Sequence, residues 1–113
     1  MRRGEVWWVD FPIPEGSEPG YPRPAVIISN DQFNVTAIRT VIVVVVTSNL
    51  KLAGAPGNVE LPASVGGLRE PSVANVSQIA TVNKTRLRRR MGVVPSVLLA
   101  QIEEGVRFSL ALV

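Results

Sequence analysis

The stretch TVIVVVVT, residues 40–47, decides the fold of this chain. Between its two threonines it holds only valine and isoleucine, which are β-branched residues that favour strands. The run does not alternate between apolar and polar residues, so it predicts a strand that is buried on both faces. An exposed strand of this composition would aggregate, and we therefore expect it in the middle of a sheet.

The segments around this strand supply the rest of a sheet. Short runs rich in β-branched or aromatic residues predict further strands at 6–11, 25–29, 59–62, 72–82 and 91–94. The loop at 12–22 holds four prolines and two glycines, and a second long loop covers 49–58. The sequence NDQFN at 30–34 predicts a turn, or a single helical turn capped by Asn30 or Asp31.

The end of the chain changes to a helical period. Leu98, Ile102, Val106 and Leu110 recur on one stripe after Pro95, which predicts one amphipathic helix packed on the sheet. Gly105 inside this helix costs about 1 kcal/mol relative to alanine, so it predicts a close contact. The pattern indicates a small, mostly antiparallel β-barrel or curled sheet that ends in a helix.

Composition limits the chemistry that the chain can perform. Its 113 residues fit one domain, 1–113, and the absence of cysteine and histidine removes disulfides, thiol chemistry and the commonest metal ligand. We expect no cofactor and no metal. Apolar runs are too short to cross a membrane, so we expect a soluble, cytoplasmic protein.

The net charge of +3 is unevenly distributed. No acid lies between Glu70 and Glu103, yet that stretch holds Lys84 and the run RLRRR at 86–90. Such a run is either a solvated turn or a basic rim that attracts RNA or an acidic peptide. The sequence does not decide whether residues 86–90 contact RNA, an acidic partner or solvent.

Three polar positions interrupt the strand pattern. Arg23 stands between Pro22 and Pro24 where a loop meets a strand, and Thr47 and Ser48 close the apolar strand. In the strand at 72–82, alternation places Asn75 and Ser77 on one face and Gln78 on the other, unless a bulge intervenes. The adjacent Trp7 and Trp8 point to opposite faces, so one belongs to the core and the other to an interface or rim.

The order of these motifs resembles the MazF/PemK family of toxin endoribonucleases from toxin–antitoxin modules. The resemblance is carried by RGEVW, RPAVI, VTSN and SQIATVNKTRL, followed by the final helix, and it covers nearly the whole chain. It implies an SH3-like β-barrel of the CcdB/MazF/PemK type with appended helices. It also implies a homodimer, blocked by an acidic, MazE-like antitoxin that covers the RNA groove.

The resemblance further implies metal-independent cleavage of single-stranded RNA at short motifs, which inhibits growth. The products would carry a 2′,3′-cyclic phosphate and a 5′-hydroxyl, and the catalytic residues would be Arg23 and Thr47. Arginine offers phosphate a planar fork of N–H donors, and a threonine hydroxyl adds another donor. Arginine is a poor base, so the proton acceptor stays open between an unusual Arg23, Glu18 and the substrate itself.

The RNA-contacting residues that we expect are Glu18, Ser48, Asn75, Ser77 and Gln78. Some family members hold a histidine in the first loop and charged residues in the strand with Gln78, where this chain has Ser17, Asn75 and Ser77. The cut sequence therefore cannot be transferred from a relative. Two other functions compete: a gyrase-directed toxin on the same fold, and a non-catalytic SH3-like binding module.

Overall fold

A curled antiparallel sheet forms the body of the molecule. The computed structural model describes residues 1–17 and 20–112, and within them six strands pair in the order β4-β5-β3-β2-β1-β6. The strands are β1 (Glu5–Asp10), β2 (Pro22–Ile27), β3 (Thr40–Thr47), β4 (Val59–Leu61), β5 (Ser72–Asn83) and β6 (Leu87–Val93). The helices are α1 (Asp31–Asn34), whose N-cap is Asn30, and α2 (Ser96–Ser109).

The central position predicted for residues 40–47 is confirmed. β3 lies between β5 and β2, and its side chains enter two buried clusters on opposite faces of the sheet. Val44 and Val46 belong to the cluster that α2 covers, whereas Val43 and Val45 belong to the other. Ile42 is the exception to two-sided burial, since 39% of it is exposed.

The sheet curls into a half-barrel, which confirms the predicted fold class. The 3-10 turn Val65–Gly67, which follows β4, packs against β6 at the opposite edge. Gly67 has a positive φ of 76°, and a Cβ there would overlap the carbonyl oxygen of Met91. Only glycine fits both requirements, so this turn draws the two edges of the sheet together. The residues that follow it, from Leu68 onward, are thereby held over the open end of the half-barrel.

A bulge interrupts the longest strand. Val44 pairs with Ile79 and Val45 pairs with Asn75, so residues 76–78 have no Cα partner on β3. The amide of Val76 instead donates to Oδ1 of Asn58, at 2.9 Å. Simple alternation along 72–82 therefore fails at Ser77 and Gln78, as expected for a bulged strand.

Two predicted strand boundaries were wrong. β6 begins at Leu87, not at residue 91, so the arginines expected in a turn lie within a strand. β2 begins at Pro22, not at residue 25, because Pro22 and Pro24 pair with Asp10 and Trp8 of β1. Proline is tolerated there because β2 pairs with β3 only from Ala25 onward, so one side of Pro22–Pro24 is an open edge.

Helix α2 packs on the α2-facing cluster as predicted. Ile102 is fully buried, and Leu98 and Val106 pack beside it, whereas Leu110 lies past the helix and is exposed. A Cβ on Gly105 would overlap the carbonyl oxygen of Gly57, so the expected close contact is present. Among the described residues, neither helix is long and apolar enough to cross a membrane.

Candidate active site

A cavity of about 520 Å³ opens at the end of the half-barrel. It lies where β3 ends, where β2 begins beside it, and where the segment after the Val65–Gly67 turn crosses over. Two of its walls are the open edge of β2 and the outer strand β6. The lining residues are Trp8, Pro22, Arg23, Pro24, Val46, Thr47, Ser48, Leu68, Arg69, Glu70, Ser72, Arg89 and Met91.

Arg23 enters the cavity from β2. Its backbone pairs with Val9 of β1, and its side chain is half-buried. The Nε atom is buried and has no hydrogen-bond partner among the described residues. Leaving a buried donor unpaired costs about 1–3 kcal/mol, and more for a charged group. An acceptor such as a phosphate oxygen would remove that cost.

Thr47 and Ser48 reach the same cavity from the end of β3. Thr47 is half-buried, and its Oγ1 accepts a hydrogen bond from the amide of Asn49 at 3.2 Å. That bond uses a lone pair and leaves the hydroxyl proton free to be donated. Ser48 is exposed. Arg23, Thr47 and Ser48 are thus the predicted site residues that the fold brings together in one cavity.

The pairing register adds Asn75 to the same face of the sheet. Ala25 pairs with Val45, and Val45 pairs with Asn75, so these three side chains share a face. Arg23 lies two residues from Ala25, and Thr47 lies two residues from Val45, which puts both on that face as well. Asn75 therefore lies on the same face as Arg23 and Thr47, two residues farther along the sheet, and is not among the residues that line the cavity.

The side chains of Asn75, Ser77 and Gln78 form hydrogen bonds within the protein. Asn75 is 8% exposed, and its Oδ1 accepts from the Ser77 hydroxyl at 2.7 Å and from the Ser77 amide at 3.3 Å. Gln78 Nε2 donates to the carbonyl oxygen of Ser17 at 3.2 Å, which ties the first loop to the bulge. Glu18 lies outside the described residues.

The lining residues that were not predicted to belong to the site include Arg89, Trp8, Arg69 and Glu70. Arg89 lies within the basic run, which marked the region but not the individual side chain. For Trp8 the sequence predicted only that it and Trp7 lie on opposite faces of a strand. Trp7 packs against the buried cluster on the face opposite α2, and Trp8 lines the cavity. Arg69 and Glu70 carry no pattern of their own. Their position depends on the glycine turn that precedes them, and the two adjacent glycines at 66–67 were the sequence feature that could have indicated this turn.

The basic run divides between structural and cavity-facing side chains. Arg88 Nη2 binds Oδ2 of Asp10 at 3.2 Å, and Arg90 Nε binds Oε2 of Glu5 at 2.9 Å. Arg86 Nη1 donates to the carbonyl oxygen of Asp10 at 3.1 Å. These three arginines therefore bind β1, and Arg89 is the member of the run that lines the cavity.

The carboxylate of Glu5 accepts hydrogen bonds from three different residues. Burial alone would raise the pKa of Glu5, but hydrogen bonds from Trp7 Nε1, the Arg2 amide and Arg90 hold the pKa below its ordinary value of 4.5. Glu5 thus stays ionised and holds Arg90 of β6 in an ion pair with β1. In the described part of the chain, no cluster of three or more acidic side chains could hold a metal ion.

Comparison with known proteins gives the family. Residues 2–110 match the PemK-like, MazF-like toxins of type II toxin–antitoxin systems. The chain is 44% identical over 107 residues to endoribonuclease MazF6 of Mycobacterium tuberculosis strain H37Rv, covering 95% of this chain and 94% of the relative.

Two solved structures have the same fold. MazF from Deinococcus radiodurans superposes with a TM-score of 0.83 at 25% identity, over 99% of this chain and 97% of that one. A mycobacterial endoribonuclease in complex with its cognate antitoxin gives a TM-score of 0.79 at 24% identity, over 100% of this chain and 97% of that one. By the family match and by its close relatives, this chain belongs to the PemK-like, MazF-like toxin family.

Proposed function

We propose that this protein is the toxin of a toxin–antitoxin module and that it cleaves single-stranded RNA without a metal. The observation that carries the proposal is the buried Arg23 Nε, a donor without an acceptor, in a cavity that also holds the Thr47 and Ser48 hydroxyls. Membership of the toxin family and the endoribonuclease relative support it. Neither the gyrase-directed toxin nor the SH3-like binding module is favoured by these relatives.

The cavity suits the attack of a 2′-hydroxyl on the adjacent phosphate. The 2′-oxygen forms a bond to phosphorus and the bond from phosphorus to the 5′-oxygen breaks, leaving a 2′,3′-cyclic phosphate and a 5′-hydroxyl. Negative charge grows on the non-bridging oxygens as the phosphorane forms. Arg23 donates to these oxygens through its guanidinium fork, and Thr47 donates through its hydroxyl. Both donors are held in place before the reaction, because each sits on a strand.

Two protons must move for the charges to balance. The 2′-hydroxyl loses one, and the departing 5′-oxygen takes one up from solvent. Arginine is a poor base, so Arg23 acts here as a hydrogen-bond donor. Among the described residues that line the cavity, Glu70 is the only carboxylate. We propose that Glu70 accepts the proton of the 2′-hydroxyl.

The antitoxin and a second subunit are the expected protein partners. Three arginines and one glutamate line the cavity, so an acidic antitoxin segment can occupy it and exclude RNA. The structural relative in complex with its cognate antitoxin supports this partner. Exposed apolar residues at the end of the chain, Phe108, Leu110 and Leu112, support the homodimer. We place the protein in the cytoplasm, where mRNA is available to it.

The proposal is tested by incubating purified protein with a long mixed-sequence RNA in EDTA and mapping the new ends. We expect discrete cuts with 5′-hydroxyl ends, lost in Arg23→Ala and slowed in Thr47→Ala. Thr40→Ala is the matched control, since Thr40 begins the same strand and lies outside the cavity. Intact RNA together with blocked DNA supercoiling would replace the proposal with the gyrase-directed function.

A further inference from the structure

The side chains of β6 are placed by two irregularities in its pairing with β1. Trp7 pairs with Arg90, Trp8 with Arg89 and Val9 with Leu87, so the register shifts between Trp8 and Val9. A second shift lies between Val6 and Trp7. The first shift skips Arg88, which is left free to bend toward Asp10. Arg89 stays opposite Trp8, and both residues line the cavity.

The arginines of the region differ in whether they are neutralised. Arg88 and Arg90 each bind a carboxylate of β1, so their charge is largely compensated locally. Arg89 and Arg69 are exposed and line the cavity, and neither side chain has a hydrogen bond or ion pair to the described residues. Two arginines without an ion pair to the described residues therefore border the cavity that Arg23 also lines, and Glu70 is the carboxylate that shares it with them.

From this arrangement we infer that Arg89 and Arg69 bind RNA phosphates next to the one that is cut, an assignment that rests on the proposed function. β6 is separated from β2 by β1, so the backbones of Arg89 and Pro24 are about 10 Å apart at two strand spacings. The side chains of Arg89 and Arg23 leave opposite faces of the sheet at this end of the half-barrel. An RNA strand that passes across this end can therefore place the reacting phosphate on Arg23 and a neighbouring phosphate on Arg89. Arg69 approaches from the segment that crosses over the open end of the half-barrel.

RNA fits this surface better than an acidic peptide does. A guanidinium fork matches the oxygens of a phosphate, and an arginine near a second and a third phosphate follows a nucleic-acid backbone. The half-buried indole of Trp8 lies in the same cavity and offers a face on which a base can stack. The carboxylates of an acidic peptide would pair with the arginines but could not stack on this indole.

The adjacent arginines provide a matched pair of variants for the test. Arg89→Gln removes a cavity cation, and Arg88→Gln removes a cation of the same strand that is bound to Asp10. The probe is a labelled pool of short 2′-O-methyl RNAs of randomised sequence, which cannot be cut because the nucleophile is blocked. Affinity is measured against salt concentration for the wild type and for each variant.

We expect Arg89→Gln to flatten the plot of log affinity against log salt by about 0.7, the loss of one phosphate contact to a single strand. Arg69→Gln should do the same, and Arg88→Gln should leave the slope unchanged. With cleavable RNA, Arg89→Gln and Arg69→Gln should each raise KM and leave kcat unaltered, because the two arginines hold the substrate and do not stabilise the transition state.

Equal slopes for Arg89→Gln and the wild type would overturn the assignment while leaving the proposed function intact, provided that the wild type cuts RNA. If Arg89→Gln weakens the binding of an acidic antitoxin peptide but not of RNA, Arg89 belongs to the antitoxin surface and the assignment is wrong. A wild type that neither binds the pool nor cuts RNA would instead refute the proposed function. Circular dichroism of each variant shows that the fold is retained.

Discussion

The hydroxyl of Ser77 donates to Oδ1 of Asn75 at 2.7 Å, and this bond closes the bulge of β5. Oδ1 of Asn75 also accepts from the amide of Ser77, so one buried oxygen serves two donors on a segment that has no partner on β3. A side chain predicted to contact RNA therefore also holds the backbone of the strand. Its two roles can be separated by experiment.

Asn75→Ala should lower the free energy of unfolding by about 1–3 kcal/mol, because two donors of Ser77 lose their acceptor. Ser77→Ala, at an exposed position, removes one donor and should cost less than 1 kcal/mol. Urea unfolding measures both. If Ser77→Ala changes the cut sequences without changing stability, the residue contacts RNA; equal stability losses in the two variants would contradict the buried role of Asn75.

The catalytic pair should respond to changes that keep size and alter donor geometry. Arg23→Lys keeps the charge but loses the planar fork, and Thr47→Val keeps the shape but loses the hydroxyl. Each should lower kcat roughly 100-fold, the usual effect of removing one preorganised donor. Thr47→Ser restores the hydroxyl and should restore most of the rate.

The kinetic readout is single-turnover cleavage of a defined RNA with saturating enzyme. Thr40→Val is the control for a threonine lost from β3 outside the cavity. A Thr47→Val enzyme as fast as the wild type would remove the hydroxyl from the mechanism, whereas Arg23→Lys at full rate would show that a point charge suffices.

The elements that the sequence predicted well are those set by local pattern. The uninterrupted apolar run at 40–47 requires two buried faces, and only the middle of a sheet provides them. The helical stripe of α2 and its glycine contact also follow from spacing along the chain. Arg23 and Thr47 could be singled out because each interrupts such a pattern at its end.

The remaining features depend on pairing between distant segments. Residues 76–78 form a bulge only because of how β5 meets β3, and their own alternation gave no sign of it. The arginines of β6 lie within a strand beside β1, where Asp10 and Glu5 compensate the charges of Arg88 and Arg90. Arg69 and Glu70 join the site through the curl of the sheet, and the glycine pair at 66–67 marks the turn before them without showing which strand it meets.

Gly105 should not tolerate alanine, although alanine is the better helix former by about 1 kcal/mol. The added methyl group would overlap the Gly57 carbonyl oxygen, and backbone on both sides would have to move. We expect Gly105→Ala to destabilise the protein by about 1–3 kcal/mol in urea unfolding. Gly54→Ala is the control, since a Cβ there meets no atom within 4 Å. Similar midpoints for the two variants would show that α2 can shift freely.

Glu5 should make the stability of the protein depend on pH. Its pKa is held below the ordinary 4.5, so ionised Glu5 stabilises the fold above about that pH, and the contribution is lost as the pH falls through the folded-state pKa. Glu5→Gln should therefore lower Tm at neutral pH, with the difference from wild type shrinking at about pH 3. Glu60→Gln, on exposed β4 surface, is the control. A Tm difference that is constant with pH would mean that only packing was lost.

Glu70 should determine the acidic side of the pH–rate profile. A general base must be unprotonated to act, so a rate that depends on one falls at low pH. Glu70→Gln should lose about 100-fold or more in kcat and should lose this acidic limb, because no ionisable acceptor is left. Glu60→Gln should keep both the rate and the limb. Glu18→Gln is the decisive comparison. If Glu18→Gln removes the fall in rate at low pH while Glu70→Gln keeps it, the first loop accepts the proton, and Glu70 serves only to balance the charge of the arginines around it.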